Sequence, residues 1–279
     1  MQIIKVDNNK PDHKSIKKAA DILKASGLVV YPTDTAYGLG VNALDKIAIN
    51  KLYEVKERNY SKPTHVVVRD WKMINEITYP NENAKILYKK FLPGPLTLIL
   101  PKRKSVPDLL TANLPTLGIR IPNNLITQSL SNSLPFPYTT PSANRTEGKI
   151  PYSVEDVKRE LDTKHMKPHP ARRLGVSFKI LKERTRLRRE ASLRRIATPN
   201  RLVQGCSSPP RTAVRRQRLC WRHEHGGTRL DAVVIDLMLD AGKIPETLPS
   251  TLIDLSKHVP TILREGPITE SQINSTINL

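Results

Sequence analysis

YPTDTAYGLG, residues 31–40, directly follows the apolar residues Leu28, Val29 and Val30. Together with Tyr31 these predict a short buried strand. Pro32 has no backbone N–H and is expected to stop strand pairing there. Thr33, Asp34 and Thr35 put three short polar side chains on a turn. Gly38 and Gly40 let the backbone turn sharply or let another group come close. Hydroxyls and glycines gathered at a strand end are what open α/β sheets present to ligands. An ordinary polar turn between a strand and a helix has the same pattern, so this stretch alone leaves both readings open.

Upstream, residues 3–6 read as a first strand, and Asp12 as the cap of a helix that buries Ile16, Ala19, Ala20 and Leu23 and ends at Gly27. Downstream, Asp45 starts a helix carrying Ala48, Leu52 and Val55 on one face. It runs into Lys56, Glu57, Arg58 and a loop closed by Lys62 and Pro63. Three cations within seven residues can converge on an anion such as a triphosphate. A solvated basic helix end has the same composition. Further strands are expected at 65–68, 96–100 and 118–122, with helices after Asp70, from Glu82 and after Asn123 or Asn124. Arg120, between two isoleucines, calls for a carboxylate partner from the protein or from a ligand. A strand near Tyr138 leads into Thr139-Thr140-Pro141-Ser142-Ala143-Asn144, a second turn rich in hydroxyls and amides. Ser153 caps the helix that follows. Strands are expected again at 233–239, 251–255 and 260–263, and the polar tail from Glu270 reads as a short helix or disorder.

The charge of +20 is unevenly spread: residues 163–231 hold 15 Arg and 4 Lys against 4 acidic residues, a net +15. The pI of the whole chain is therefore no nucleic-acid signature for its main body. Within this block Lys gives way to Arg, and both cysteines, Cys206 and Cys220, appear. It reads as an irregular or disordered in-frame insertion in a surface loop, where insertions are tolerated, with one basic helix within 178–196. Cys206, Cys220, His223 and His225 could ligate zinc, though their spacing is loose. The arginines could bind RNA through counterion release. The cysteine usage, the absence of an 18-residue apolar run and an N-terminus without a signal-peptide core point to a soluble cytoplasmic chain.

Eight stretches, in order, resemble one family, the YrdC-type threonylcarbamoyl-AMP synthases: YPTDTAYGLG (31–40), KERNYSKP (56–63), PGPLTLIL (93–100), GIRIP (118–122), TTPSAN (139–144), LDAG (239–242), PSTLIDL (249–255) and ILREGPIT (262–269). The resemblance implies an α/β fold, a single YrdC-like domain with a twisted mixed sheet flanked by helices. That domain is discontinuous, 1–162 and 232–279, around the Arg-rich insertion 163–231. It also implies synthesis of threonylcarbamoyl-AMP and pyrophosphate from L-threonine, bicarbonate and ATP, for N6-threonylcarbamoyladenosine in tRNA. Thr35, Arg120, Thr140 and Ser250 would then contact threonine. Lys56, Arg58, Lys62, Thr116, Ser142, Asn144 and Arg264 would surround ATP, with Lys56 and Arg58 as catalytic cations. Mg2+ would ride on the phosphates, with no metal ligands from protein side chains. Partners would be tRNA or double-stranded RNA and other proteins of the pathway, with no membrane. An RNA-binding module without catalysis, and a copy inactivated by the insertion, are the alternatives.

Overall fold

The computed structural model describes residues 1–161 and 234–277. The basic helix expected within 178–196, the candidate zinc ligands and the arginines of the inserted block lie outside them.

The first sheet grows around the opening stretch. Residues 31–40 form a hairpin: β2 (Val29–Pro32) pairs antiparallel with β3 (Tyr37–Gly40), and Pro32 faces Tyr37. β2 ends at Pro32, as expected. Gly38 and Gly40 lie in a strand, not in a turn, and their reason is close approach. A Cβ on Gly40 would come within 2.9 Å of the Tyr31 ring, and one on Gly38 within 3.2 Å. β1 (Gln2–Lys5) and β8 (Leu237–Asp240) complete the order β1-β8-β2-β3. β8 runs parallel to both its neighbours, so the chain after residue 234 returns to the middle of the sheet begun before residue 41.

The second sheet has the order β10-β9-β5-β6-β4-β7. Its strands are β4 (Val66–Val67), β5 (Leu96–Pro101), β6 (Thr116–Arg120), β7 (Tyr138–Thr139), β9 (Thr251–Asp254) and β10 (Thr261–Arg264). In place of the single sheet expected, two sheets meet at β3 and β7. Leu39 N–H donates to Pro141 O and Thr139 N–H to Val41 O, but Pro141 has nothing to return, and the Thr139 carbonyl is taken by the Tyr31 hydroxyl at 2.8 Å. The Thr139 hydroxyl repairs both gaps. It accepts from Val41 N–H at 3.0 Å and donates to Leu39 O at 2.9 Å. Buried backbone groups left without partners would be costly, and here a side chain supplies them.

Helices follow the cap signals. Asp12, Asp45 and Asp70 accept from the first turns of α1 (His13–Lys24), α2 (Lys46–Val55) and α3 (Trp71–Ile77). Asn124, rather than Asn123, caps α5 (Leu125–Asn132), after α4 (Glu82–Phe91), and Ser153 caps α6 (Val154–Glu160). The tail is a helix, α7 (Glu270–Ile277), which buries Ile273 and Ile277. α1 does not use Gly27 as its left-handed residue; Ser26 takes φ 63°. Gly27 is needed instead for space, since a Cβ there would meet Asp236 Oδ2 at 2.8 Å. α2 ends in the same way, with Glu57 at φ 48° and Arg58 N–H bonded back to Tyr53 O. That reversal sends Lys56 and Arg58 to different places.

Candidate active site

A cleft of about 270 Å³ opens between the β2–β3 turn, the residues around β4 and β7, and the segment before β9. Seven of the residues singled out from sequence line it: Thr35, Arg58, Arg120, Thr140, Ser142, Ser250 and Arg264. Four do not. Lys56 and Asn144 are buried behind the wall. Lys62 is exposed and faces Glu147 at 3.7 Å. Thr116 opens β6 opposite Pro101, four strand residues or roughly 13 Å from Arg120.

Each guanidinium is held by the backbone or by an acid. Arg58 donates to Lys62 O at 3.3 Å and Pro63 O at 2.7 Å, so the loop after α2 is folded onto its side chain. Arg264 donates twice to Ser250 O, at 3.1 and 2.8 Å, tying the end of β10 to the start of β9. Arg120 finds its carboxylate within the protein. Its Nη2 donates to Asp34 Oδ1 at 2.6 Å and its Nη1 to Thr35 Oγ1 at 3.1 Å, while the other Asp34 oxygen accepts Asn123 N–H at 3.2 Å. The Arg120 Nε and the Thr140 hydroxyl are buried without hydrogen-bond partners. Unpaired polar atoms beside a cleft mark places where a ligand can supply the missing bond.

Lys56 is spent elsewhere. Its ammonium donates to the carbonyls of Ser142 and Asn144. Burial, then the Arg58 charge, lowers its pKa to about 7. It clamps the Thr140–Asn144 turn from behind. Within that turn the Ser142 hydroxyl donates to Asn144 Oδ1 at 2.6 Å, and Asn144 Nδ2 donates to Gly148 O at 2.7 Å.

Sequence reasoning missed three residues of the site. Asp34, expected only as a turn residue, is the partner of Arg120. His65, expected only as the start of a strand, lines the cleft opposite Gly118 of β6 and Thr140, the residue after β7, as the register of Val66 with Ile119 and with Thr139 requires. A Cβ on Gly118 would meet the imidazole at 2.5 Å, so the ring rests on that glycine. Burial, then the charges of Arg264, Arg120 and Arg58, lowers the His65 pKa to about 4. Thr97, in an apolar strand, is fully buried and joins the Ser250 hydroxyl at 2.8 Å. No local pattern marks any of the three, because each acts on a partner far away in sequence.

The fold is that of an α/β protein whose cleft is lined by three guanidiniums and several hydroxyls, with no carboxylate among its lining residues. The family model described as "Telomere recombination" (Sua5, YciO, YrdC) matches residues 21–167, and the chain belongs to that family. A Methanocaldococcus jannaschii protein is 40% identical over 149 residues, 52% of this chain and 70% of that one. The threonylcarbamoyl-AMP synthase of Bacillus subtilis is 39% identical over 149 residues, covering 53% of this chain but only 43% of its own length. The crystal structure of P. abyssi Sua5 complexed with L-threonine superposes with a TM-score of 0.71 at 25% identity, over 99% of this chain and 61% of that one. The chain therefore spans less than half of the Bacillus synthase it matches.

Proposed function

We propose that this chain is an L-threonylcarbamoyladenylate synthase, a nucleotidyltransferase that joins L-threonine, bicarbonate and ATP into threonylcarbamoyl-AMP and releases pyrophosphate. The observation that carries the reading is the convergence of Arg58, Arg120 and Arg264 on one cleft that also holds the unpartnered Thr140 hydroxyl. In this reading Thr35, Arg120, Thr140 and Ser250 seat threonine. Arg58, Ser142 and Arg264 face the nucleotide, and Lys56 and Asn144 hold the turn that carries Ser142. The threonine amine reacts with bicarbonate or CO2 to give N-carboxythreonine. The new carboxylate attacks the α-phosphate and pyrophosphate leaves, so the protein supplies alignment and positive charge and no nucleophile. Mg2+ would be carried by the triphosphate, where it would offset phosphate charge. The product would pass, in the cytoplasm, to a tRNA-modifying step shared with other proteins of the pathway.

The test is pyrophosphate release by the full chain with ATP, Mg2+, bicarbonate and L-threonine, omitting each in turn. Release that needs all of them, with threonylcarbamoyl-AMP among the products, is expected. ATP turnover indifferent to threonine would overturn the reading.

A further inference from the structure

The hydroxyl of Ser250, the residue just before β9, lies 2.8 Å from that of Thr97 in the neighbouring strand β5. Thr97 is completely buried, and this is its side chain's only hydrogen bond among the described residues. A hydroxyl has one proton to give and two lone pairs to offer. If Ser250 gave its proton to Thr97, the buried Thr97 proton would have no acceptor, which is costly. The satisfied arrangement runs the other way, with Thr97 donating to Ser250.

The second lone pair of Ser250 is also engaged, since Arg264 Nη2 approaches its oxygen at 3.4 Å. Arg264 is itself fixed by two bonds to the Ser250 carbonyl. Both acceptor positions are filled by donors, and only the Ser250 proton remains, in a residue that lines the cleft. Ser142, which also lines the cleft, is the reverse case. Its proton goes to Asn144 Oδ1, so it offers lone pairs to the cleft.

We propose that Thr97 is a positioning residue that fixes Ser250 as an obligate hydrogen-bond donor, so that Ser250 receives a carboxylate oxygen of the amino-acid substrate and not its ammonium group. This rests on the function proposed above and assigns one end of the substrate within it.

The test is L-threonine affinity by calorimetry on the full chain, for the unaltered protein, Thr97→Val, Thr97→Ser, Ser250→Ala and the Thr97→Val/Ser250→Ala pair, with ATP affinity measured alongside. Thr97→Val keeps the shape of the side chain and removes the donor. It is expected to weaken threonine binding roughly fivefold, as for a lost hydrogen bond between neutral groups, while ATP affinity stays within about twofold. Thr97→Ser is expected to restore threonine binding. In the Ser250→Ala background Thr97→Val should add nothing, because its effect passes through Ser250. Unchanged threonine affinity in Thr97→Val, an equal loss for ATP, or full additivity in the double variant would each overturn the inference while leaving the synthase reading standing. No threonine binding by the unaltered protein would remove that reading and this inference together.

Discussion

Gly118 and His65 show how one missing side chain shapes the site. The imidazole occupies the space that a Cβ on Gly118 would take, 2.5 Å from its Cδ2. Gly118→Ala is expected to push the ring into the cleft and to cost about 1–3 kcal/mol of stability from overpacking; urea unfolding reads the second effect and threonine affinity the first. His65 also makes a pH prediction. Its folded-state pKa of about 4 lies below the ordinary imidazole value of 6.5, so between those limits the unfolded chain binds the extra proton. Stability contributed by neutral His65 is present above pH 6.5 and is lost as pH falls toward 4. Unfolding free energies of the unaltered protein and of His65→Gln, measured across pH 4–7, should differ in slope, with the variant flatter.

At the level of elements, the junction between the two sheets depends on one hydroxyl. Thr139→Val keeps the branched shape but leaves Val41 N–H and Leu39 O, both buried, without partners. At about 1–3 kcal/mol for each unsatisfied group, a loss of roughly 2–6 kcal/mol is expected in denaturant unfolding. The end of α2 makes a second case. With Glu57 in the left-handed region, Lys56 turns inward to the Ser142 and Asn144 carbonyls and Arg58 turns to the cleft. Lys56→Met is expected to loosen the Thr140–Asn144 turn and weaken nucleotide affinity without removing any cleft-lining charge. Calorimetry with ATP, compared with Arg58→Met, separates the two roles: Arg58→Met, which removes a cleft-lining charge, should weaken ATP binding more than Lys56→Met, which leaves every cleft-lining charge in place.

For the whole molecule, α6 closes with buried Leu161, and Ile235 is buried just before β8. The described chain thus leaves and re-enters its own core around the Arg-rich block. Joining Asp162 to Ala232 is expected to give a protein that folds with a Tm within a few degrees of the full chain and releases pyrophosphate under the same conditions. A variant that fails to fold would make the block part of the domain.

The sequence by itself determined the local architecture and the lineage. Short polar side chains before apolar periodicities placed the helix starts, apolar runs placed most strands, and eight ordered motifs pointed to one family. These signals are legible because caps, turns and amphipathic faces are made by residues within a few positions of one another. Only the tertiary structure decided which of the marked residues meet. Lys56 and Arg58 are two positions apart and serve opposite sides of a wall, a choice made by a backbone reversal at a residue that is not glycine. Arg120 was legible as a buried charge, but its partner Asp34 was not, and the Thr97–Ser250 pair spans 153 positions. Such contacts are set by sheet register and strand order, which depend on the packing of the whole chain and leave no periodic trace along it.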